Sequence, residues 1–220
     1  PLQGMSDSFG GAIAIALLIS LFWWCGIHGA TIIGGIMGPL LQSNGLANQE
    51  LFNQGVQLVA GENAAIVTNQ FVDQYITFGG SGLTLGLVCT MLYFSKSRQY
   101  KELGKLSIIP GLFNINEPII FGFPVVFNPI MAIPFILAPV ISVIMVYTSI
   151  ATGIVEPFRA ISVPWTTPFI ISGFLIGGVK AAILQIAVFS MTVAVYFPFF
   201  KYQDKLAYIE EQKIGTEATV

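Results

Sequence analysis

Five stretches of this chain, 8–49, 74–95, 118–155, 160–179 and 181–200, contain no Asp, Glu, Lys or Arg. Each reaches the roughly 20 residues with which an α-helix crosses a bilayer. Charged residues make up 9% of the chain and apolar residues 55%, where a soluble domain carries about a quarter charged residues. Most of the surface is therefore expected to meet hydrocarbon. A net charge of −2 and a pI near 5.3 supply no basic face for nucleic acid. Cys25 and Cys89 lie in apolar runs and read as unpaired buried thiols. The chain opens at Pro1 without the charged n-region and short apolar core of a signal peptide, so it reads as a fragment.

The first apolar segment, 10–27, ends in Phe22-Trp23-Trp24, aromatic residues suited to a membrane interface or a pocket wall. From 38 to 73 the chain turns to Asn and Gln, which predicts loop plus interfacial or partly re-entrant helix. Apolar character returns over 75–94, followed by Lys96, Arg98, Lys101 and Lys105. Such a basic excess marks the cytoplasmic side of a span, and Lys201, Lys205 and Lys213 place the C-terminus there too. Two loops on one side need an even number of crossings between them. Prolines at 110, 118, 124, 129, 134 and 139 make a straight helix through 106–128 improbable. Broken backbone survives at membrane depth only inside protein or beside water, so 106–128 reads as a re-entrant hairpin. Pro157, Pro164 and Pro168 suggest a second over 157–179, leaving full spans at 129–150 and 181–200. The expected organisation is a membrane-embedded domain over 1–200 and a cytoplasmic tail, a short helix, over 201–220.

Glu117 has eleven uncharged residues before it and thirty-eight after. An ionisable group there is costly and usually faces a cavity, although a carboxylate capping a helix end at a hairpin tip is a second reading. Asn114 and Asn116 beside it add donors and acceptors for hydroxyl groups. His28, the only histidine, follows the first apolar segment between Gly26 and Gly29. It either bonds backbone at a broken helix end or touches a ligand, and no Cys or His spacing makes a metal site. Trp165, held between Pro164 and Pro168, offers a flat face for a sugar ring or an interface anchor. Asn69 and Asp73 share a helical face if that segment is helical, with a solvated loop as the alternative. The Gly79-Gly80-Ser81-Gly82 run lacks the Lys-Ser/Thr of a phosphate loop and reads as close packing. Lys180 and Arg159 border apolar runs and can snorkel.

Taken together, Gly26-Ile27-His28-Gly29, then Asn116-Glu117-Pro118-Ile119-Ile120-Phe121-Gly122 with Pro124 and Asn128-Pro129, then Pro164-Trp165-Thr166-Thr167-Pro168 resemble one family. It is the membrane-spanning IIC component of the bacterial phosphoenolpyruvate-dependent phosphotransferase system (PTS), lactose/cellobiose/diacetylchitobiose type. The resemblance covers about 1–212 and corresponds to the C-terminal half of that component. It implies an all-α polytopic membrane protein of transmembrane helices and re-entrant hairpins. It also implies a multi-pass permease of the bacterial cell membrane, C-terminus cytoplasmic, that carries a β-linked disaccharide inward. A separate EIIB subunit would then phosphorylate the sugar from a phosphocysteine, which neither Cys25 nor Cys89 represents. The resemblance makes Glu117, His28, Asn116 and Trp165 sugar-binding residues, with Glu117 a candidate base or orienter of the reacting hydroxyl. Asn114, Thr166, Thr167, Asn128, Asn69 and Asp73 form a second tier. The full-length protein would be a homodimer, and no cofactor or metal is expected. An ion-coupled sugar symporter, or a membrane glycosyl-transfer enzyme using Glu117, are the alternatives.

Overall fold

The structure, a computed structural model, describes residues 4 and 6–217. The ends of the expected domain and tail, at 1–3, 5 and 218–220, lie outside the described residues. The elements are helical throughout: α1 (Phe9–Trp24), α2 (Gly29–Asn53), α3 (Asn69–Phe71) running into a π-helical turn (Val72–Ile76), α4 (Leu85–Phe94), α5 (Arg98–Leu112), α6 (Glu117–Gly122), α7 (Pro129–Ala151) and α8 (Ile171–Glu217). Two of them, Pro129–Ala151 and Ile171–Ile214, are long and apolar enough to cross a membrane.

Helix starts follow the local chemistry. Side-chain acceptors at the first position take orphan N–H groups: Ser8 from Gly11, Thr68 from Phe71, Ser97 from Tyr100 and Asn128 from Ile130 and Met131. Pro129 then occupies the first turn of α7, where a missing N–H costs nothing.

The segment 106–128 forms the expected hairpin, with α5 as one arm, α6 as the other and 113–116 as the tip. Its first arm begins earlier than the prolines suggest, at Arg98, and carries the basic cluster. A second hairpin lies at 69–94 and not at 157–179. Here α3 and the π turn descend, 77–84 turns, and α4 returns. Ten residues of α4 are too few to span, and Gly79, Gly80 and Gly82 all take positive φ in the turn. A Cβ on Gly80 would run into the Asn116 side chain and one on Gly82 into Phe135, so close packing is the use these glycines serve.

The Asn/Gln-rich stretch from 38 is helix to Asn53 and mainly irregular to Thr68, the expected mixture of helix and loop. The amides of the helical part bond inward. Asn44 Nδ2 donates to Val67 O, and Asn48 Nδ2 to Ala65 O and Phe158 O, at 2.8 to 2.9 Å. The segment 157–170 is irregular and not a helical arm. Its return into α8 is organised by the buried Gln185, whose Oε1 accepts from Ile170 N and Gly173 N while Nε2 donates to Gln74 O and Ser172 Oγ. α8 bends where Gly178 takes φ 70°.

The 69–94 hairpin sits at the centre, with α4 packed on α5 and α8, and α7 packed on α8 and on the π turn. Tyr75 OH donates to Ala181 O, Tyr196 OH to Gly82 O and Ser142 Oγ to Tyr75 O, all within 2.6–2.8 Å. Beyond Phe200, α8 continues unbroken through Lys201 to Glu217, where a separate short helix was expected. Its polar end grips the link between the hairpins: Asp204 accepts from Lys96 N, Ser97 N and Ser95 Oγ, and Glu211 from Ser97 Oγ, Arg98 N and Gln99 N.

Candidate functional site: a polar cavity at the hairpin tips

The two hairpin tips, the α1–α2 junction and the 157–170 segment meet around a cavity of about 360 Å³. Trp23, His28, Asp73, Asn114, Asn116, Glu117 and Trp165 line it, with Thr31, Thr77 and Ser81. Four chain segments far apart in sequence thus contribute to one wall.

Glu117 opens α6, directly before Pro118, and its side chain is exposed to the cavity. No described residue hydrogen-bonds its carboxylate. Asn116, 4% exposed, donates from Nδ2 to Ser81 O at 2.9 Å and so joins the two tips. Asn114 sits at φ 66°, a left-handed conformation that Asn tolerates better than most residues. Its Oδ1 accepts from Gly79 N, and its Nδ2 donates to Trp165 O and to Thr167 O. One amide therefore fixes three segments, and Trp165, 62% exposed, is held at the cavity by its backbone.

His28 bonds backbone at a helix start and also lines the cavity. Its Nδ1 accepts from Thr31 N at 3.2 Å and caps α2. With Nδ1 accepting, Nε2 is the ring nitrogen left to donate. The ring lies 4.4 Å from the Trp23 ring, tilted by 51°, which sets its orientation. Trp23 itself is 3% exposed, and its Nε1–H is buried without a hydrogen-bond partner among the described residues.

Asp73 adds a second carboxylate to the lining, on the π-helical turn. No Lys or Arg is among the lining residues. Two carboxylates, two side-chain amides and an imidazole N–H, with aromatic faces beside them, match a neutral body rich in hydroxyl groups and repel an anion.

The remaining candidates fall outside this cavity. Asn128 caps α7 through Oδ1, and its carbonyl accepts from Trp24 Nε1 at 3.0 Å. Asn69 lines two neighbouring cavities with Asp73. Thr167 contributes its carbonyl to Asn114, and Thr166 is not in the lining. Trp23, Thr31, Thr77 and Ser81 were not singled out as site residues. Only the aromatic Phe22-Trp23-Trp24 run hinted at one of them.

Fold and site together define an all-α polytopic membrane protein with a polar cavity between paired helical hairpins. The profile of the family described as Phosphotransferase system, EIIC matches residues 2–139, and the chain belongs to that family. It is 47% identical to the PTS system cellobiose-specific EIIC component of Geobacillus stearothermophilus, over 96% of this chain and 47% of that protein. It is 45% identical to the putative permease IIC component YwbA of Bacillus subtilis (strain 168), over 97% of this chain and 48% of that protein. The crystal structure of the transporter ChbC, the IIC component from the N,N'-diacetylchitobiose-specific phosphotransferase system, superposes with a TM-score of 0.91 at 42% identity. That match covers 96% of this chain and 48% of ChbC. The chain spans about half the length of the curated relatives it matches.

Proposed function

We propose that this chain is the sugar-binding half of a PTS permease that carries a β-linked disaccharide of the cellobiose, diacetylchitobiose or lactose type across the bacterial cell membrane. The observation that carries the reading is the convergence of Glu117, His28 and Trp165, from three separate segments, on one cavity. The names of the relatives and of ChbC, a cellobiose-specific component and a diacetylchitobiose-specific one, support the class of sugar.

In this reading Glu117 and the His28 Nε2–H bond sugar hydroxyls, Trp165 flanks a ring and Asp73 takes a further hydroxyl. Asn114 and Asn116 hold the tips in place, while Thr166, Thr167, Asn128 and Asn69 support the surrounding backbone. The EIIB subunit supplies phosphate: the phosphocysteine P–S bond breaks, a P–O bond forms to the sugar, and the hydroxyl proton passes to Glu117. Residues 1–200 are the membrane-embedded domain of a multi-pass, homodimeric protein, and 201–220 lie on the cytoplasmic side. Ion-coupled symport and glycosyl transfer remain the rival chemistries for Glu117.

The test is uptake of radiolabelled disaccharide by cells making the full-length protein. Glu117→Gln keeps the volume and removes the charge, and should lower uptake at least about a hundredfold, within the range for loss of a proton-transfer group, with membrane insertion unchanged. Uptake at the original rate would overturn the role of Glu117. Uptake that follows the proton gradient and not phosphoenolpyruvate would select the symporter.

A further inference from the structure

Gln185, in α8, is fully buried and lies outside the lining of the polar cavity. A side-chain amide can accept twice at its oxygen and donate twice from its nitrogen, and Gln185 does all four. Oε1 accepts from Ile170 N at 2.6 Å and Gly173 N at 2.9 Å, while Nε2 donates to Gln74 O at 2.8 Å and Ser172 Oγ at 3.0 Å. These partners reach two different walls of the cavity. Ile170 ends the irregular segment that brings Trp165 to it, and Gln74 follows Asp73 on the π-helical turn.

The backbone around the amide is shaped to receive it. Ile170 sits at φ 72°, a left-handed conformation that a β-branched residue adopts only at a cost, and its N–H is the one that Oε1 takes at 2.6 Å. A Cβ on Gly173 would run into Gln185 Oε1, so the close approach at that point requires glycine. A fully bonded polar network specifies one arrangement of its parts, where apolar packing tolerates several. Asn114 already holds the Trp165 carbonyl from the hairpin tip. Gln185 fastens the other end of the same segment.

We propose that Gln185 is a positioning residue for sugar binding: by tying the turn that carries Asp73 to the segment that carries Trp165, it sets the separation of those two side chains at the cavity. The proposal rests on the reading of the cavity as the disaccharide site. Gln185 itself touches no sugar and acts through Trp165.

Calorimetric titration of the full-length protein with cellobiose tests it. Gln185→Glu keeps the acceptor for Ile170 N and Gly173 N but removes the N–H given to Gln74 O, and affinity should fall about tenfold, the loss of roughly one good contact. Trp165→Ala lowers affinity on its own, and Gln185→Glu added to it should lower affinity by no more than about twofold further, because coupled residues do not add. A full tenfold loss in both backgrounds, or no loss in the single variant, would overturn the positioning role. Gly173→Ala displaces the amide without replacing it and should show the same pattern with a loss of about threefold. That variant decides the question if Gln185→Glu fails to insert. Cellobiose binding by the unaltered protein keeps the disaccharide reading standing whatever the variants do. Its absence overturns that reading and the role of Gln185 with it.

Discussion

The Asn116 side chain and the Ser81 carbonyl, 2.9 Å apart, join the tips of two hairpins, tips that α4 and α5 separate in sequence. Because Asn116 immediately precedes Glu117, the same bond that closes the tips also sets where the carboxylate enters the cavity. Asn116→Leu leaves the Ser81 carbonyl buried without a donor, at a cost of about 1–3 kcal/mol. Thermal unfolding in detergent should therefore shift downward. Sugar affinity should fall as well, because Glu117 loses its anchor. An unchanged melting temperature would show that the tips are held by other contacts.

Two substitutions at His28 separate its roles. His28→Ala removes both the cap on α2 and the Nε2 donor, and should cost about 1 kcal/mol of stability together with sugar binding. His28→Asn restores a good capping side chain but not the reach of Nε2. Stability should recover in that variant while binding does not. Recovery of both would mean that His28 acts only as a cap.

The grip of α8 on the link between the hairpins predicts a pH dependence outside the apolar stretch. The Gln99 N–H, with the Ser97 hydroxyl and the Arg98 N–H, holds the Glu211 carboxyl below the usual carboxylate range. A depressed folded-state pKa means that the native protein binds the proton more weakly than the unfolded chain. The contribution is thus present above the ordinary glutamate pKa of about 4.3 and lost as the pH falls below it. The stability difference between the protein and its Glu211→Gln variant should be visible at neutral pH and shrink toward zero under acid. A difference independent of pH would contradict the assignment.

The residues that sequence reading found most readily are those that break the apolar pattern. Glu117 stands out as a charge inside hydrocarbon, and the prolines around it foretell the α5–α6 hairpin. The hairpin at 69–94 was hidden because 75–94 has the composition of a span. Its distinguishing feature, the positive φ of three glycines, two of them against Asn116 and Phe135, is a tertiary fact. The inward bonding of the helix through 38–53 was hidden for a related reason. Asn44 and Asn48 look like loop residues until Val67, Ala65 and Phe158 are seen to receive their N–H groups. Trp23 lines the cavity with its ring tilted against that of His28, a contact that neither residue's local sequence announces.

The grip of Asp204 and Glu211 on residues 95–99 has a mechanical meaning. The hairpins are pinned to each other at their tips and fastened at their connecting link to one long helix. That arrangement behaves as a braced frame with the cavity at its apex. A frame of this kind transmits displacement without changing its internal angles. Within this chain the polar end of α8 and the Glu117 carboxylate therefore belong to one connected set of contacts.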